Sequence, residues 1–469
     1  MLFFAPVYHQ PCNHCRLMRQ LPAYPGSVRF FFLTAFGICL ILLGCESADH
    51  QTETGKRAVQ PAPKDTTNFI YRLLSDQENP VLDSVLNYPD KFRVQVLYTQ
   101  IDRNENNEPT FTQFSYLLDS QQYFYPASTV KFPTSLLALQ RLNELNLDRG
   151  TTMLTDSAYN QQTAVTKDTS AENGLPSVEH YIKKILVTSN DDAYNRLYEF
   201  LGQEYINQQL EEKGYTDTRI VHRLSIPLSE EQNRYTNPVR FIRGNDVLYE
   251  QELVYNAYDY MAEDSVLLGV GEVVDDTLRN RPKDFATKNF MPLDELNRML
   301  RATLFPEHVP EAARFNLAED DYRFLYQYMS QLPRETAYPQ YNPEKYYDSY
   351  VKFLLFGDTR QEMPQNIRIF NKIGQAYGFL TDAAYVIDYE SQIEFMLAAT
   401  VYVNENQVFN DNEYEYEEIG LPFMGALGRA FFEYELVRER ENVADLGPFR
   451  IEYDNCAQCN TKEQEYNPD

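Results

Sequence analysis

The sequence predicts a mixed, mainly antiparallel β-sheet flanked by helices, an α+β arrangement within the α/β class, with a helical subdomain inserted between its strands. Three observations predict it: two strand-like runs lie early, a long middle stretch repeats apolar residues at helical spacing, and three more strand-like runs come late, before a closing amphipathic helix. Strands from both chain ends with helices between them are most simply joined as one sheet carrying those helices. At 469 residues, 43% hydrophobic and 24% charged, the chain can bury a sizeable core as one large domain or two smaller ones.

The first segment stands apart from this fold. Residues 1–44 contain Arg16, Arg19 and Arg29 and no acidic residue, and residues 30–43 form an apolar run ending in Leu42-Leu43-Gly44-Cys45. A basic stretch followed by a short apolar one has the layout of a signal peptide, and the run falls short of the roughly 20 residues that span a bilayer. Its end resembles the lipobox of bacterial lipoproteins, which implies lipidation at Cys45 and a chain anchored in the cell envelope, at the bacterial outer membrane or facing the periplasm. An uncleaved signal anchor is the alternative, and Met18 offers a second start that gives a leader of more usual length. Residues 45–68, polar and carrying Pro61 and Pro63, read as a flexible tether.

The net charge of −27 becomes more negative once those three arginines are removed, which argues against nucleic acid and against an anionic membrane surface as partners. Contact with a membrane is expected through lipid alone. The pairs Cys12-x-x-Cys15 and Cys456-x-x-Cys459 have zinc-like spacing, but the first falls in the leader. The second pair cannot complete a tetrahedral site, so a terminal disulfide or two idle thiols is expected. His50, His180, His222 and His308 have no ligand partner at metal spacing and read as surface or core. No metal and no cofactor is expected.

A domain over 69–440 follows, with 441–469 as a tail. A short amphipathic helix is expected over 69–86, then strands over 93–98 and 111–118 joined by a turn at 102–109 as a hairpin. Helices are expected over 128–145, over 177–187 with Ser177 as N-cap, and over 193–201 closed by Gly202, the last two separated by a turn at 188–192. Residues 226–285, acidic and rich in tyrosine, show no period and read as an insertion or lid. Helices over 293–304 and 322–329, strands over 367–372, 383–388 and 393–403, and a helix over 421–436 complete the pattern.

Ser128-Thr129-Val130-Lys131 is a Ser-x-x-Lys at a helix start. Residues three apart share a helix face, so the lysine amine can reach the serine hydroxyl, and the positive helix terminus favours both a neutral amine and a developing oxyanion. Alone, the motif is expected about once by chance in a chain this long. It has company: Tyr125-Pro126-Ala127 before it, Phe132-Pro133 after it, Ser189-Asn190-Asp191 on a turn between helices, and Lys372-Ile373-Gly374 ending a late strand.

In order and topology these motifs resemble the penicillin-recognising serine enzymes (the β-lactamase/transpeptidase-like superfamily), most closely the class A β-lactamase-like branch, whose motifs are Ser-x-x-Lys, Ser-Asp-Asn and Lys-Thr-Gly. The resemblance runs from about residue 91 to 436 without the insertion, and Ala193, Asn195, Tyr377-Gly378 and Asp382-Ala383-Ala384 support its register. It implies a serine hydrolase in which Ser128 forms the acyl-enzyme, Lys131 takes its proton, Ser189 relays a proton to the leaving group and Lys372 holds Ser189 electrostatically. The backbone N–H groups of Ser128 and Gln375 are implied as the oxyanion hole, with Asp191, Ile373 and Gly374 at substrate-contact positions.

The departures concern substrate. Asp191 replaces an amide that donates to substrate, and an ionised carboxylate cannot donate. Ile373 replaces a hydroxyl that meets a substrate carboxylate, a role left to Gln375 or to a substrate lacking that group. The Glu-x-x-Leu-Asn stretch that supports deacylation is missing after His222-Arg223-Leu224, where Glu230 and Glu231 are substitutes or two more surface carboxylates. The expected function is therefore cleavage of an amide or ester in a small-molecule or peptide-like acyl substrate, a β-lactam or a cell-wall peptide among the options, without implying rapid β-lactam hydrolysis. The alternative is a non-catalytic envelope protein that binds through the same cleft.

Overall fold

The computed structural model describes residues 60–454 except Glu263. The expectations for residues 1–44, Cys45, Cys456 and Cys459 lie outside the described residues.

The described residues begin with two helices, α1 (Phe69–Ser75) and α2 (Pro80–Asn87), where one was expected. Glu78 adopts a left-handed backbone (φ 48°), Asn79 caps α2 through the N–H groups of Val81 and Leu82, and Pro80 occupies the first helical position. Strands β1 (Gln95–Arg103) and β2 (Pro109–Tyr116) form the expected hairpin. The middle of the chain supplies α3 (Lys131–Leu145), α4 (Val178–Thr188), α5 (Asp191–Leu201), α6 (Gln203–Glu212), α7 (Leu293–Leu304) and α8 (Glu319–Ser330). Strands β3 (Ile367–Ala376), β4 (Phe379–Asp388) and β5 (Ile393–Tyr402) and helix α9 (Leu421–Val437) follow.

The five strands form one sheet in the order β3-β4-β5-β1-β2, antiparallel at every pairing. Both chain ends build it, as expected. Its strands read as near-continuous apolar runs because both faces are covered. Along β4 and β5, Ala383, Tyr385, Ile387, Met396 and Ala398 enter a cluster with α3, α4, α5 and α7, whereas Leu380, Ala384, Val386, Leu397, Ala399 and Val401 enter a second cluster with α1, α2 and α9. Side chains along a strand alternate between faces, so one apolar run feeds both cores.

The stretch over 226–285 is built of short pieces. A helix, Glu230–Arg234, precedes the hairpin of Val239–Arg243 and Asp246–Gln251, and the first of these strands pairs with Thr152–Thr155. Elements this short leave no period to read. The strand Gly271–Val274 pairs in parallel with Val408–Phe409, so this part of the stretch is stitched to the chain just beyond β5.

Candidate active site

The site assembles from three chain segments. At the first, Tyr125-Pro126 leads into Ala127, whose backbone is left-handed (φ 48°), and a 3₁₀ turn over Ala127–Val130 carries Ser128. The α-helix proper begins at Lys131, three residues later than expected. The tighter turn still keeps the pair together, with Lys131 Nζ 2.8 Å from Ser128 Oγ. Ser128 is partly exposed and Lys131 is buried beneath it.

The second segment is shorter than expected. Only Ser189 and Asn190 separate α4 from α5: Ser189, left-handed at φ 57°, ends α4, and Asn190 caps α5 by accepting from the Ala193 N–H. This brings the Ser189 carbonyl 2.5 Å and its Oγ 3.3 Å from Lys131 Nζ. Asp191, the first residue of α5, reaches the same amine, with Oδ1 2.6 Å from Lys131 Nζ and Oδ2 accepting from Ser225 Oγ at 2.6 Å. Sequence reasoning placed Asp191 toward substrate and missed both this ion pair and Ser225. Nothing in a linear motif marks a carboxylate 60 residues away as the partner of Lys131.

The third segment is the edge strand β3. Lys372 shares a sheet face with Phe370, the face of the helical subdomain, and its Nζ donates to Ser189 Oγ at 2.8 Å and to the Ile373 carbonyl at 2.8 Å. Ile373 points the other way, 6% exposed among the apolar residues under α1, α2 and α9. What Ile373 offers the site is its carbonyl; strand alternation turns its side chain away from Lys372, in keeping with a position that has no hydroxyl for a substrate carboxylate. Tyr377 and Gly378, both at positive φ, form the turn into β4, so Ala376 and Phe379 are a hydrogen-bonded pair and so, by alternation, are Gly374 and Lys372 with their partners. Ile373 and Gln375 therefore turn their N–H groups to the open edge. Gly374 lies so close to the Ser128 turn that a Cβ there would come within 2.3 Å of the Pro126 carbonyl and 3.2 Å of the Ser128 nitrogen.

Electrostatics follow from this packing. Burial pushes the Lys131 amine down to about 8, against the opposing pull of Asp191. Burial works to raise Asp191, but the Lys131 charge and hydrogen bond outweigh it and hold the carboxyl below its ordinary range. Burial and then the neighbouring Lys131 charge drive Lys372 well below the usual lysine value. On the opposite face of β3, Lys352 Nζ donates to Asn371 Oδ1 at 2.7 Å and Asn371 Nδ2 donates to Asp382 Oδ1 at 2.8 Å. Asp382 also accepts from the Phe353 and Leu354 N–H groups, so this buried network pins the strand that carries Lys372.

Glu230 and Glu231 occupy the exposed first turn of the helix after Ser229 and hydrogen-bond to neither Ser128 nor Lys131. The Tyr-rich chain after α8 comes nearer: Tyr341 hydroxyl lies 3.2 Å from Thr188 Oγ1, next to Ser189. Among the described residues, no group of three metal-ligating side chains is placed to hold an ion. The larger concavities, about 420 Å³ beside His180 and about 520 Å³ beside Arg149, are lined by none of the motif residues. Convergent polar groups, not volume, mark the site.

Residues 81–264 match the family model described as "Beta-lactamase enzyme family". The chain is similar to that family there. The match takes in Ser128, Lys131, Ser189 and Asp191 and ends before Lys372. No curated protein matches the chain. Among solved structures, it is similar to a β-lactamase from Sphaerobacter thermophilus (13% identity, 78% of this chain and 97% of that one, TM-score 0.42). It is also similar to a β-lactamase from Desulfarculus baarsii (12%, 79% and 98%, TM-score 0.43) and to PBP-A (15%, 80% and 100%, TM-score 0.41).

Proposed function

We propose that the chain is a serine acyl hydrolase of the penicillin-recognising kind, with Ser128 as nucleophile. The observation that carries this reading is a continuous run of hydrogen bonds, Ser128 Oγ to Lys131 Nζ to Ser189 Oγ to Lys372 Nζ, drawn from three segments of the chain. A purely structural serine at a helix start has no need of two buried lysines.

In this mechanism Lys131 first loses its ammonium proton, and the neutral amine takes the Ser128 hydroxyl proton as Oγ attacks the acyl carbon. The N–H groups of Ser128 and Gln375 receive the oxyanion. When the bond to the leaving nitrogen or oxygen breaks, Ser189 donates its proton to that atom and is resupplied from Lys131. The acyl group remains on Ser128 until water removes it. Asp191 is the carboxylate in contact with this relay, and because it only accepts, any substrate group that meets it must be a hydrogen-bond donor, an N–H, an O–H or an ammonium. The wider class is a small-molecule or peptide-like amide or ester; a β-lactam is one member of it.

Intact-protein mass spectrometry after incubation with a panel of β-lactams and activated esters tests the reading. The expected result is an adduct of one acyl group on the wild type and none on Ser128→Ala. A wild type unlabelled by every probe would sink it. A long-lived adduct is expected, since Glu230 and Glu231 make no contact with Ser128. The reading includes anchoring through lipid on Cys45 in the cell envelope, checked by radiolabelled fatty-acid incorporation that disappears in Cys45→Ser.

A further inference from the structure

Just beyond Gln375 the open edge of β3 continues into a groove of about 390 Å³, walled on one side by Tyr377 and on the other by Asn410, Asn412, Tyr414 and Tyr416 from the loop after β5. We propose that this groove is a saccharide-binding subsite that holds the remote, sugar-bearing part of the substrate whose acyl group reaches Ser128; the proposal rests on the acyl-hydrolase reading for that connection.

The lining selects the ligand. Although the chain has 69 acidic residues, no charged side chain among the described residues lines the groove; Lys283 Nζ, 5.7 Å over the Tyr377 ring, bears on that ring from outside the lining. Tyrosine rings give it apolar faces with polar rims, and three side-chain amides give it paired donors and acceptors. A purely apolar ligand would leave those amides unpaired, whereas a sugar ring places C–H groups against an aromatic face and neighbouring hydroxyls against an amide. The side chains of Gln375 and Asn412 are exposed and engaged in none of the hydrogen bonds of the described residues, so they are free to turn to a ligand.

The groove is also preformed. Tyr414 hydroxyl accepts from the Asn410 N–H at 3.0 Å, and Tyr416 hydroxyl accepts from the Gly378 N–H at 2.8 Å. Tyr377 stands edge-on to Tyr125 at 4.9 Å and to Phe285 at 5.4 Å. Its ring is thus packed against the segment that turns into Ser128. Rings fixed in this way lose little freedom when a ligand arrives, and the volume lies in the range of small-molecule sites.

Calorimetric titration of the full chain with cellotriose, maltotriose and chitotriose tests the proposal. Saturable binding of at least one trisaccharide is expected, weakened about fivefold or more by Asn412→Ala and by Tyr414→Ala, in line with the loss of one amide contact or one ring face. Labelling of Ser128 by a small ester should stay within about twofold of wild type in both variants, while an ester carrying the bound sugar should show a lower KM than the plain ester in the wild type only. Asn412 is exposed on a loop, so its variant keeps the test decisive if Tyr414→Ala fails to fold. Absence of binding for all three sugars, or binding unchanged in Asn412→Ala, overturns the proposal. Acylation of Ser128 without sugar binding removes the groove alone; sugar binding without acylation removes its connection to Ser128 and the hydrolase reading together.

Discussion

Lys131 Nζ faces four acceptors, Ser128 Oγ, the Ser189 carbonyl, Ser189 Oγ and Asp191 Oδ1, so the three protons of an ammonium are all engaged and the 3.3 Å contact to Ser189 Oγ is the longest of the set. With its pKa near 8, the amine is mostly protonated at neutral pH and the basic form is the minor one. Acylation of Ser128 should therefore rise about tenfold per pH unit up to about 8 and level off above it, as stopped-flow labelling can follow. Asp191→Asn removes the charge that favours the ammonium, so the limb should move to lower pH and labelling at pH 6 to 7 should quicken. Loss of labelling at every pH in a folded Asp191→Asn protein would show instead that the carboxylate itself carries the proton. The Ser128–Lys131 pair was legible because three-residue spacing survives a change from α to 3₁₀ geometry. The Asp191 contact was not legible, because it depends on how closely α5 approaches α3.

At the scale of elements, the register of β3 against the Ser128 turn decides whether the site exists. Gly374→Ala places a methyl against the Pro126 carbonyl, where neither backbone can yield cheaply. Labelling of Ser128 should fall more than about tenfold, because the Gln375 N–H moves off the oxyanion position. Stability should drop by about 1 to 3 kcal/mol, read from urea unfolding. Lys352→Met removes the amine that donates to Asn371 Oδ1 and to the Met329 carbonyl and should cost about 1 to 3 kcal/mol in the same assay, the order for leaving buried acceptors unpaired. The strands and most helices were readable from apolar spacing, and the opposite facing of Lys372 and Ile373 follows from alternation alone. The break between α1 and α2 was also written in the sequence, in Asn79-Pro80, and was overlooked beneath a continuous apolar pattern. The insertion was not readable, since strands of two to six residues carry too few positions to show a period.

For the whole molecule, buried histidines set the response to acid. Burial lowers His180 and His222 to about 4, and His222 spends its one proton on the Arg223 carbonyl through Nδ1 while Nε2 lies buried without a partner among the described residues. Between pH 6.5 and 4 the unfolded chain protonates these two imidazoles while the folded chain does not, so the stability they give above 6.5 is lost as pH falls through this window, offset in part by Asp382, whose burial raises its carboxyl to about 6 so that the folded chain takes that proton first. Each histidine should contribute about 3 kcal/mol to that loss. Urea midpoints should drop steeply from pH 7 to 5, and His222→Asn, which keeps a donor for the Arg223 carbonyl, should flatten the slope.

The strand order has a temporal consequence. β5 ends at Tyr402 yet occupies the centre of the sheet, where it pairs with β4 on one side and with β1, some 300 residues earlier, on the other, Val96 facing Ala399. A nascent chain that has emerged only as far as β4 therefore holds the β1–β2 and β3–β4 hairpins without the strand that pairs with both, and β3 then meets the Ser128 turn only through contacts such as Gly374 against Pro126. Contacts this distant along the chain make assembly slow and late. The grouping of Ser128, Lys131, Ser189 and Lys372 is therefore expected to become fixed only after Tyr402 has been made, so a product that ends before β5 should not be labelled at Ser128.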